Sequence, residues 1–367
     1  MSDFLLLTPG PTGVPQRILK ALSLPMIHHR TKEYQAILER VNANLGKVFL
    51  TRHPVMTFAS SGTGAMEASI TNLFSQGDLV LSFSAGKWGE RYRDIARAHG
   101  LQVKSYEKKY AEAFEAQEIA QALEDHPNAK GVLTTLCETS TAVAHPIQEI
   151  AKVTRLGRAI LLVDAISGLG CDIFKMDEWG VDVTVCGSQK GLMLPPGLSF
   201  VALNERAQAL VPKSVLPKYY FNFAQTLKAM AKNDTPFTPA ISLVRGLEEA
   251  LFMILEEGLE NVWNRHARIA HFVRSKAAQM NLQIFAQSPS NAVTAIGMPG
   301  GIVSKDVIKH MRDAHQVVMA DGQGELQGKI VRFAHMGCCT MKDAERGMHA
   351  FQDALAKAGY EIPTGVL

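Results

Sequence analysis

Short apolar segments rich in β-branched residues alternate with amphipathic segments through the first two-thirds of the chain. Each apolar segment spans only a few residues and has no polar face, which is typical of a strand buried on both faces of a sheet. The predicted strands are residues 55–59, 79–83, 101–106, 131–135, 160–163, 181–185 and 199–203. The predicted helices between them include residues 65–74, 89–99, 118–124 and 147–156.

Strands that alternate with helices predict an α/β fold with a large, doubly wound, mostly parallel sheet. After about Pro239 the pattern changes to a long helical zone, 243–280, broken near Gly258. Three strands (292–297, 317–320, 330–334) and two helices (305–314, 342–358) follow and predict a smaller α+β domain. We expect residues 16–255 to form the large domain, and residues 1–15 with 256–367 to form the small one.

Composition and charge argue against several classes of protein. The 367 residues carry 38 Lys and Arg against 35 Asp and Glu, a formal charge of +3. These charges are scattered, which argues against a nucleic-acid or anionic membrane surface. No apolar stretch is long enough to span a membrane, and the first residues lack a basic leader region. The five cysteines form no C-x-x-C pair and no metal-ligand pattern, so we expect reduced thiols and a cytoplasmic protein.

Lys190 follows the predicted strand 181–185 and lies between small residues, in the segment Cys-Gly-Ser-Gln-Lys-Gly. A lysine at the carboxyl edge of a buried strand is positioned to form a Schiff base, although a lone lysine in a turn is more often a surface residue. Asp164 ends another buried strand. This carboxylate could pair with a pyridinium nitrogen. Taken alone, Asp164 is explained equally well as a residue that caps the next helix.

Further candidates follow other strands. The turn 59–67 joins a strand to a helix through small and hydroxyl residues, an arrangement that binds phosphate with free N–H groups. Glu67 replaces the third glycine of a dinucleotide-binding fingerprint, which argues against a nicotinamide dehydrogenase. The ring of Trp88 could stack on a flat heterocycle, and Thr139 provides a hydroxyl group. Arg332 lies within a predicted strand and could bind a carboxylate through two hydrogen bonds, unless it faces solvent on an edge strand.

Together these segments resemble the fold-type I, pyridoxal-phosphate-dependent aminotransferases of class V, in the alanine–glyoxylate, serine–glyoxylate and serine–pyruvate branch. The resemblance covers nearly the whole chain and implies the two-domain α/β fold of those enzymes. The matching segments are residues 7–12, 29–31, 61–64, 87–91, 138–141, 163–165, 187–191, 195–197 and 235–239, together with Arg332.

The resemblance implies a role for each matching residue. Lys190 carries the internal aldimine of the cofactor pyridoxal 5'-phosphate and then moves the proton, and Asp164 pairs with the pyridine nitrogen. Arg332, helped by Thr12 and Gly13, holds the substrate carboxylate. The remaining cofactor contacts that it implies are Ser61, Gly62, Thr63 and Gln189 at the phosphate, Trp88 and Ile166 on the ring faces, Thr139 at the ring hydroxyl, and Thr235 or Thr238 from the partner subunit of a homodimer.

Several alternatives stay open at this point. Thr63 and Gly13 stand where relatives commonly have His and Asn, so the amino donor (alanine, serine or aspartate) and the acceptor (glyoxylate or pyruvate) are not decided. A class V cysteine desulfurase or lyase would need a reactive thiol such as Cys338 or Cys339. A non-catalytic partner subunit that retains the fold is the third alternative. We expect an aminotransferase that acts on a small amino acid and a 2-oxo acid.

Overall fold

The secondary structure follows the apolar pattern closely. The computed structural model describes residues 4–363, so the ends of the predicted small domain, 1–3 and 364–367, lie outside the described residues. The elements in chain order are β1 (Leu5–Leu6), α1 (Gln16–Leu22), α2 (Lys32–Phe49), β2 (Val55–Phe58), α3 (Gly62–Leu73), β3 (Leu79–Ser84), α4 (Lys87–Ala98), β4 (Gln102–Glu107), α5 (Ala116–Asp125), β5 (Gly131–Thr135), β6 (Cys137–Glu138), β7 (Val143–Ala144), α6 (Ile147–Thr154), β8 (Ile160–Asp164), α7 (Met176–Trp179), β9 (Val183–Gly187), β10 (Ser199–Leu203), α8 (Glu205–Gln208), α9 (Phe223–Met230), α10 (Ile241–Glu257), α11 (Leu259–Gln279), β11 (Val293–Gly297), α12 (Ser304–His315), β12 (Val317–Val318), β13 (Ala320–Asp321), β14 (Ile330–Ala334) and α13 (Met341–Lys357), with short 3-10 turns at Val211–Lys213 and Gly324–Leu326.

A seven-stranded sheet in the order β2-β10-β9-β8-β5-β3-β4 forms the centre of the molecule. Strand β10 runs antiparallel to both of its neighbours, and the other pairs are parallel. Helical crossovers connect the parallel strands, as such pairs require. The predicted doubly wound, mostly parallel sheet is therefore confirmed. The carboxyl ends of β5, β8 and β9 lie side by side at one edge, where such sheets bind ligands.

Side chains of each strand alternate between two apolar cores, one on each face of the sheet. In β8, Leu161 and Val163 pack into a core with α2, α5, α6 and α10. Ile160 and Leu162 pack into a second core with α3, α4 and α9. Because both faces are covered, the strands carry continuous apolar runs rather than alternating ones.

The second domain is built on a three-stranded antiparallel sheet in the order β11-β14-β13. Its core joins α11, α12 and α13 to these strands. The N-terminal strand β1 pairs with β12, and Leu7 is buried in the same core, so the first residues of the chain pack on the C-terminal part. The predicted boundary at 255/256 falls in the last turn of α10, just before Gly258. We propose that the two domains divide at residues 15/16 and 255/256.

Five helices of the described residues lie outside the predicted segments: α1, α2, α7, α8 and α9. Helix α2 has an N-cap, since the side chain of Thr31 accepts from the N–H of Tyr34. Its buried residues recur every three or four positions, the helical period. They are Tyr34, Ile37, Leu38, Val41, Leu45, Val48 and Phe49. This periodicity is visible in the sequence, so a helix-period search of residues 16–50 could have located α2.

The most apolar segment, 159–169, forms the buried strand β8 and the turn after it, not a helix. Of the helices within residues 4–363, none combines the length and apolar composition that crossing a bilayer requires.

The small-domain core predicts a clear stability difference between two leucines. Leu355 on α13 is fully buried, whereas Leu156 is 89% exposed. Leu355→Ala removes apolar contacts and leaves a cavity, so the free energy of unfolding should fall by about 2–5 kcal/mol. The matched surface control, Leu156→Ala, should change it by less than about 0.5 kcal/mol. Urea unfolding of both variants measures the difference; equal midpoints would contradict the assigned burial of α13.

Candidate active site

A cavity of about 340 Å³ opens at the carboxyl edge of the large sheet, between the two domains. Ten of the residues predicted for the site line this cavity. They are Ser61, Gly62, Thr63, Trp88, Thr139, Asp164, Ile166, Gln189, Lys190 and Arg332. They come from separate strand–helix turns of the large domain and, for Arg332, from β14 of the small domain. The fold thus brings together side chains that are far apart in the sequence.

Lys190 follows β9 and is 7% exposed. Its Nζ donates a hydrogen bond to the carbonyl oxygen of Pro9 and lies 5.9 Å from the centre of the Trp88 ring. Burial in this cavity lowers the pKa of Lys190 to about 8, because desolvation disfavours the ammonium form. Near neutral pH an appreciable fraction of Lys190 is therefore the neutral, nucleophilic amine.

The N-terminal loop approaches Lys190 closely because residue 10 is a glycine. Gly10 has φ of +113°, a conformation that L side chains rarely adopt, and a Cβ at this position would lie 2.6 Å from Lys190 Cε. Thr12 also contacts this lysine: its hydroxyl donates to the carbonyl oxygen of Lys190 over 3.3 Å. The loop from the small domain thus covers the lysine of the large domain.

Asp164 is the last residue of β8 and is buried. Its Oδ1 accepts the N–H of Ile166 over 2.8 Å. Burial raises the pKa of Asp164 to about 7, and the neighbouring Glu138 adds to this, while the N–H of Ile166 and the charge of Lys190 oppose it. A carboxylate in this position gains stability from a cation placed in the cavity.

Helix α3 directs its N-terminus into the cavity, where its first N–H groups have no intrahelical acceptor. Ser61 is the N-cap residue and makes no side-chain cap bond. Gly62 allows close packing, since a Cβ there would lie 2.5 Å from Ile166 Cδ1. Beside it, Gln189 Oε1 is buried without a hydrogen-bond partner among the described residues. This end of the cavity can hold an anionic group such as a phosphate.

Trp88 lies in the first turn of α4, which is held by a buried carboxylate. The N–H groups of Trp88 and Gly89 each donate to Glu138 Oε2 over 3.0 Å. The other oxygen, Oε1, accepts from the Ser140 side chain and backbone. Burial raises the pKa of Glu138 and these hydrogen bonds lower it in part. Glu138, which the sequence singles out only as part of the matching segment 138–141, therefore positions the Trp88 ring.

The Trp88 ring has two notable features. The guanidinium of Arg91 lies over it, 4.3 Å from the ring centre. The ring Nε1 is buried and has no hydrogen-bond partner among the described residues. Arg91 also donates to Thr63 over 3.2 Å, which links the ring to the N-terminal turn of α3.

Arg332 occupies the central strand of the small sheet and is 6% exposed, so the alternative of a solvent-facing arginine on an edge strand is wrong. Its Nε donates to the carbonyl oxygen of Asp321 over 2.9 Å, and one terminal nitrogen donates to that of Thr139 over 3.3 Å. These neutral acceptors fix the guanidinium without neutralising it. Its remaining N–H groups are available for a carboxylate in the cavity.

Four predicted residues do not line the cavity. Thr12 lies behind Lys190, and the carbonyl of Gly13 accepts from the thiol of Cys338 over 3.5 Å. Thr235 and Thr238 line a second, smaller cavity of about 60 Å³ with aromatic residues such as Phe58. Within one chain, therefore, neither Thr235 nor Thr238 meets the residues around Lys190.

Other cavity residues have no individual role among the predictions from the sequence. Ser167 accepts a short hydrogen bond from the Thr139 hydroxyl, and Arg91 and Gln323 line the opening. Pro9 and Gly10 also line the cavity. Their Pro-Gly-Pro sequence was a usable signal, because such a turn at the end of a strand favours a close backbone approach. Nothing in the local sequence around Gln323 indicates a site.

The two candidate nucleophilic thiols are poorly suited to act as thiolates. Burial raises the pKa of Cys338, and it raises that of Cys339 to about 12. Burial therefore disfavours the thiolate, which is the nucleophilic form of cysteine.

Comparison with known proteins agrees with this geometry. The family model for class-V aminotransferases matches residues 5–339. The chain is 36% identical over 366 residues to an L-aspartate–glyoxylate aminotransferase of Paracoccus denitrificans, covering 97% of this chain and 92% of the relative. It is 35% identical over 361 residues to a protein of Synechococcus named soluble hydrogenase, small subunit, covering 97% and 94%.

A solved structure extends the likeness to the fold. The alanine–glyoxylate aminotransferase from Nostoc superposes with a TM-score of 0.93 at 29% identity, covering 97% of this chain and 96% of that one. The sequence match spans nearly the whole chain, and the superposition includes both domains. The fold-type I expectation is confirmed, and the chain belongs to the class-V aminotransferase family.

Proposed function

We propose that this protein is a pyridoxal-phosphate-dependent transaminase that moves the amino group of a small amino acid to a 2-oxo acid such as glyoxylate or pyruvate. The observation that carries the proposal is the convergence of Lys190, Asp164 and Arg332 on one cavity. A transaminase needs an amine that exchanges with the substrate, a group that stabilises a cationic ring, and an anchor for the substrate carboxylate. These three residues can supply the three functions.

The names of the similar proteins favour glyoxylate as the acceptor, since the Paracoccus and Nostoc proteins are both named glyoxylate aminotransferases. Their donors differ, being aspartate in one and alanine in the other. We propose alanine or serine as the donor here, with aspartate as the competing candidate.

Pyridoxal phosphate fits the residues that line the cavity. The helix N-terminus at Gly62 and Thr63 suits the phosphate group, and the side-chain amide of Gln189 beside it has an NH2 group that can donate to a phosphate oxygen. Asp164, with its pKa raised toward 7, suits a pyridinium nitrogen as counter-charge. Trp88 and Ile166 lie where ring faces can pack, and Thr139 with Ser167 offers hydroxyls. When bound, this cofactor supplies an electron sink for the substrate carbon.

Lys190 provides the mobile base in this proposal. As a neutral amine, Nζ would hold the cofactor through its carbonyl group, and once freed by the amino donor it would be the base that takes the proton from the substrate α-carbon. Its pKa near 8 is close to the operating pH, which suits a group that must both accept and donate a proton.

Arg332 orients the substrate through its carboxylate. The carbonyl oxygens of Asp321 and Thr139 fix the guanidinium plane, so its free N–H groups can meet both carboxylate oxygens. Because Arg332 belongs to the small domain and Lys190 to the large one, the substrate would bridge the two domains.

We further propose a cytoplasmic homodimer. Thr235 and Thr238 stand apart from the Lys190 cavity within one chain, so a cofactor contact by either needs a second copy. The five free cysteines suit a reducing compartment. A cysteine desulfurase is less well supported, because burial raises the pKa of both Cys338 and Cys339 and so disfavours their thiolate forms. A purely non-catalytic subunit would not need the complete set of Lys190, Asp164 and Arg332.

The first prediction concerns the reaction itself. The purified protein supplied with pyridoxal phosphate should convert glyoxylate to glycine with alanine, serine or aspartate as donor, as measured by chromatography of the amino acids. Lys190→Ala should reduce this rate by at least about 100-fold, the lower range of a lost general base. The exposed control Lys213→Ala should keep the wild-type rate. Substantial activity of Lys190→Ala would remove Lys190 from the proposed role.

The second prediction concerns the protonation of Lys190. In the protein without cofactor, labelling of Lys190 by acetic anhydride should increase with pH around a midpoint of about 8, because only the neutral amine reacts. The exposed Lys213 is the control, and its labelling shows that the reagent is active at each pH. Peptide mass spectrometry at a series of pH values measures both. A Lys190 midpoint above about 10 would contradict the proposed desolvation.

The third prediction concerns the carboxylate anchor. Loss of a charge-assisted, bidentate contact worth about 1.5–3 kcal/mol should raise the KM for the amino donor about 10- to 150-fold in Arg332→Ala. Arg332→Lys keeps the charge but not the fork of donors and should recover only part of the loss. The control Arg52→Ala, at a surface position with a 78% exposed side chain, should leave KM unchanged. An unchanged KM in Arg332→Ala would mean that the carboxylate binds elsewhere.

A further inference from the structure

A cluster of imidazole and carboxylate groups lies on the outer helices of the small domain, away from the active-site cavity. We propose that His310, His315 and Asp353 form a binding site for one divalent transition-metal ion of the Zn²⁺ type. None of the three residues lines the cavity around Lys190. The proposal therefore concerns a site separate from amino transfer.

The ligand atoms already converge on one point. His310 Nε2 lies 2.9 Å from Asp353 Oδ2, and His315 Nε2 lies 2.7 Å from the same oxygen. All three atoms lie within 4.8 Å of one another. Zn–N and Zn–O bonds of about 2.1 Å join atoms that are separated by up to about 4.2 Å, so only small rotations of the side chains are needed.

Two packed helices hold the ligands in place. His310 lies within α12 and His315 is its last residue, while Asp353 lies on α13. Arg346 of α13 donates to the carbonyl oxygen of His315 over 2.9 Å, which fixes the end of α12 against α13. His349, one helical turn before Asp353, has its ring centre 5.9 Å from that of His315. The C-terminal end of α12 also carries a partial negative charge, which favours a cation there.

The donor set selects the class of ion. Two imidazole nitrogens and one carboxylate oxygen suit Zn²⁺, Ni²⁺ or Cu²⁺, whereas Mg²⁺ and Ca²⁺ prefer oxygen ligands alone. Without a metal ion, both Nε2 atoms lie within hydrogen-bond distance of the same Asp353 oxygen. A metal ion would replace these two contacts with direct bonds to the three atoms. The imidazole side chains are 31% and 24% exposed, so the ion can enter from solvent and keep water at an open position.

The experiment is a calorimetric titration of the tag-free holoenzyme, freed of metal with a chelator, with ZnCl₂. We expect one Zn²⁺ per chain with a Kd of about 10 µM or lower, and a rise in Tm because the ion binds the folded state. His310→Ala and His315→Ala should each weaken binding at least about tenfold. The matched control His271→Ala, an exposed histidine on α11, should bind Zn²⁺ as the wild type does.

The Co²⁺-loaded protein gives an independent readout, because visible d–d bands report imidazole and carboxylate coordination. These bands should be present in the wild type and in His271→Ala and absent in His315→Ala. The proposal is overturned if the wild type binds no Zn²⁺ at about 100 µM, a concentration well above the expected Kd. It is equally overturned if the His310 and His315 variants bind with wild-type affinity, or if Mg²⁺ raises Tm as much as Zn²⁺ does.

Discussion

Two ionisable groups, Lys190 and Asp164, line one cavity with side chains that are largely buried, and burial moves their pKa values toward neutrality from opposite sides. Desolvation alone is unfavourable for both, because each is most stable in water in its charged form. The cost is tolerable in a protein that binds a cofactor with a carbonyl for the amine and a cationic nitrogen for the carboxylate. The sheet brings Lys190 and Asp164 to the same cavity because β8 and β9 are adjacent and parallel, and each strand ends at the cavity.

The small domain supplies further residues around the cavity that contains Lys190 and Asp164. Its strand pairing of β1 with β12 anchors the loop that covers Lys190, and a glycine at position 10 is needed for that approach. Arg332 reaches the cavity from β14 and bonds to the carbonyl of Thr139 in the large domain. The proposed substrate anchor, Arg332, and the proposed reactive amine, Lys190, therefore belong to different domains, and the distance between them depends on how the domains pack. Substitutions at this contact should change activity without altering either residue.

Much of the fold and site could be predicted because the relevant signals are local. Continuous apolar runs identified the central strands, and Lys190 and Asp164 stood out because each directly follows such a run. Residues whose role depends on distant partners could not be found in this way. Glu138 supports Trp88 through N–H groups some fifty residues away in the chain, a relation that no spacing rule reveals. For Thr235 and Thr238 the resemblance implies a contact between two chains, which a single chain does not contain.

The visible absorption spectrum of the protein supplied with pyridoxal phosphate tests the central claim most directly. A lysine-bound cofactor absorbs in the visible range and gives a yellow protein. The account predicts that this band is lost when alanine, serine or aspartate is added and returns when glyoxylate follows. A protein that stays colourless with the cofactor, or a yellow band that none of the three donors changes, would contradict amino transfer through Lys190.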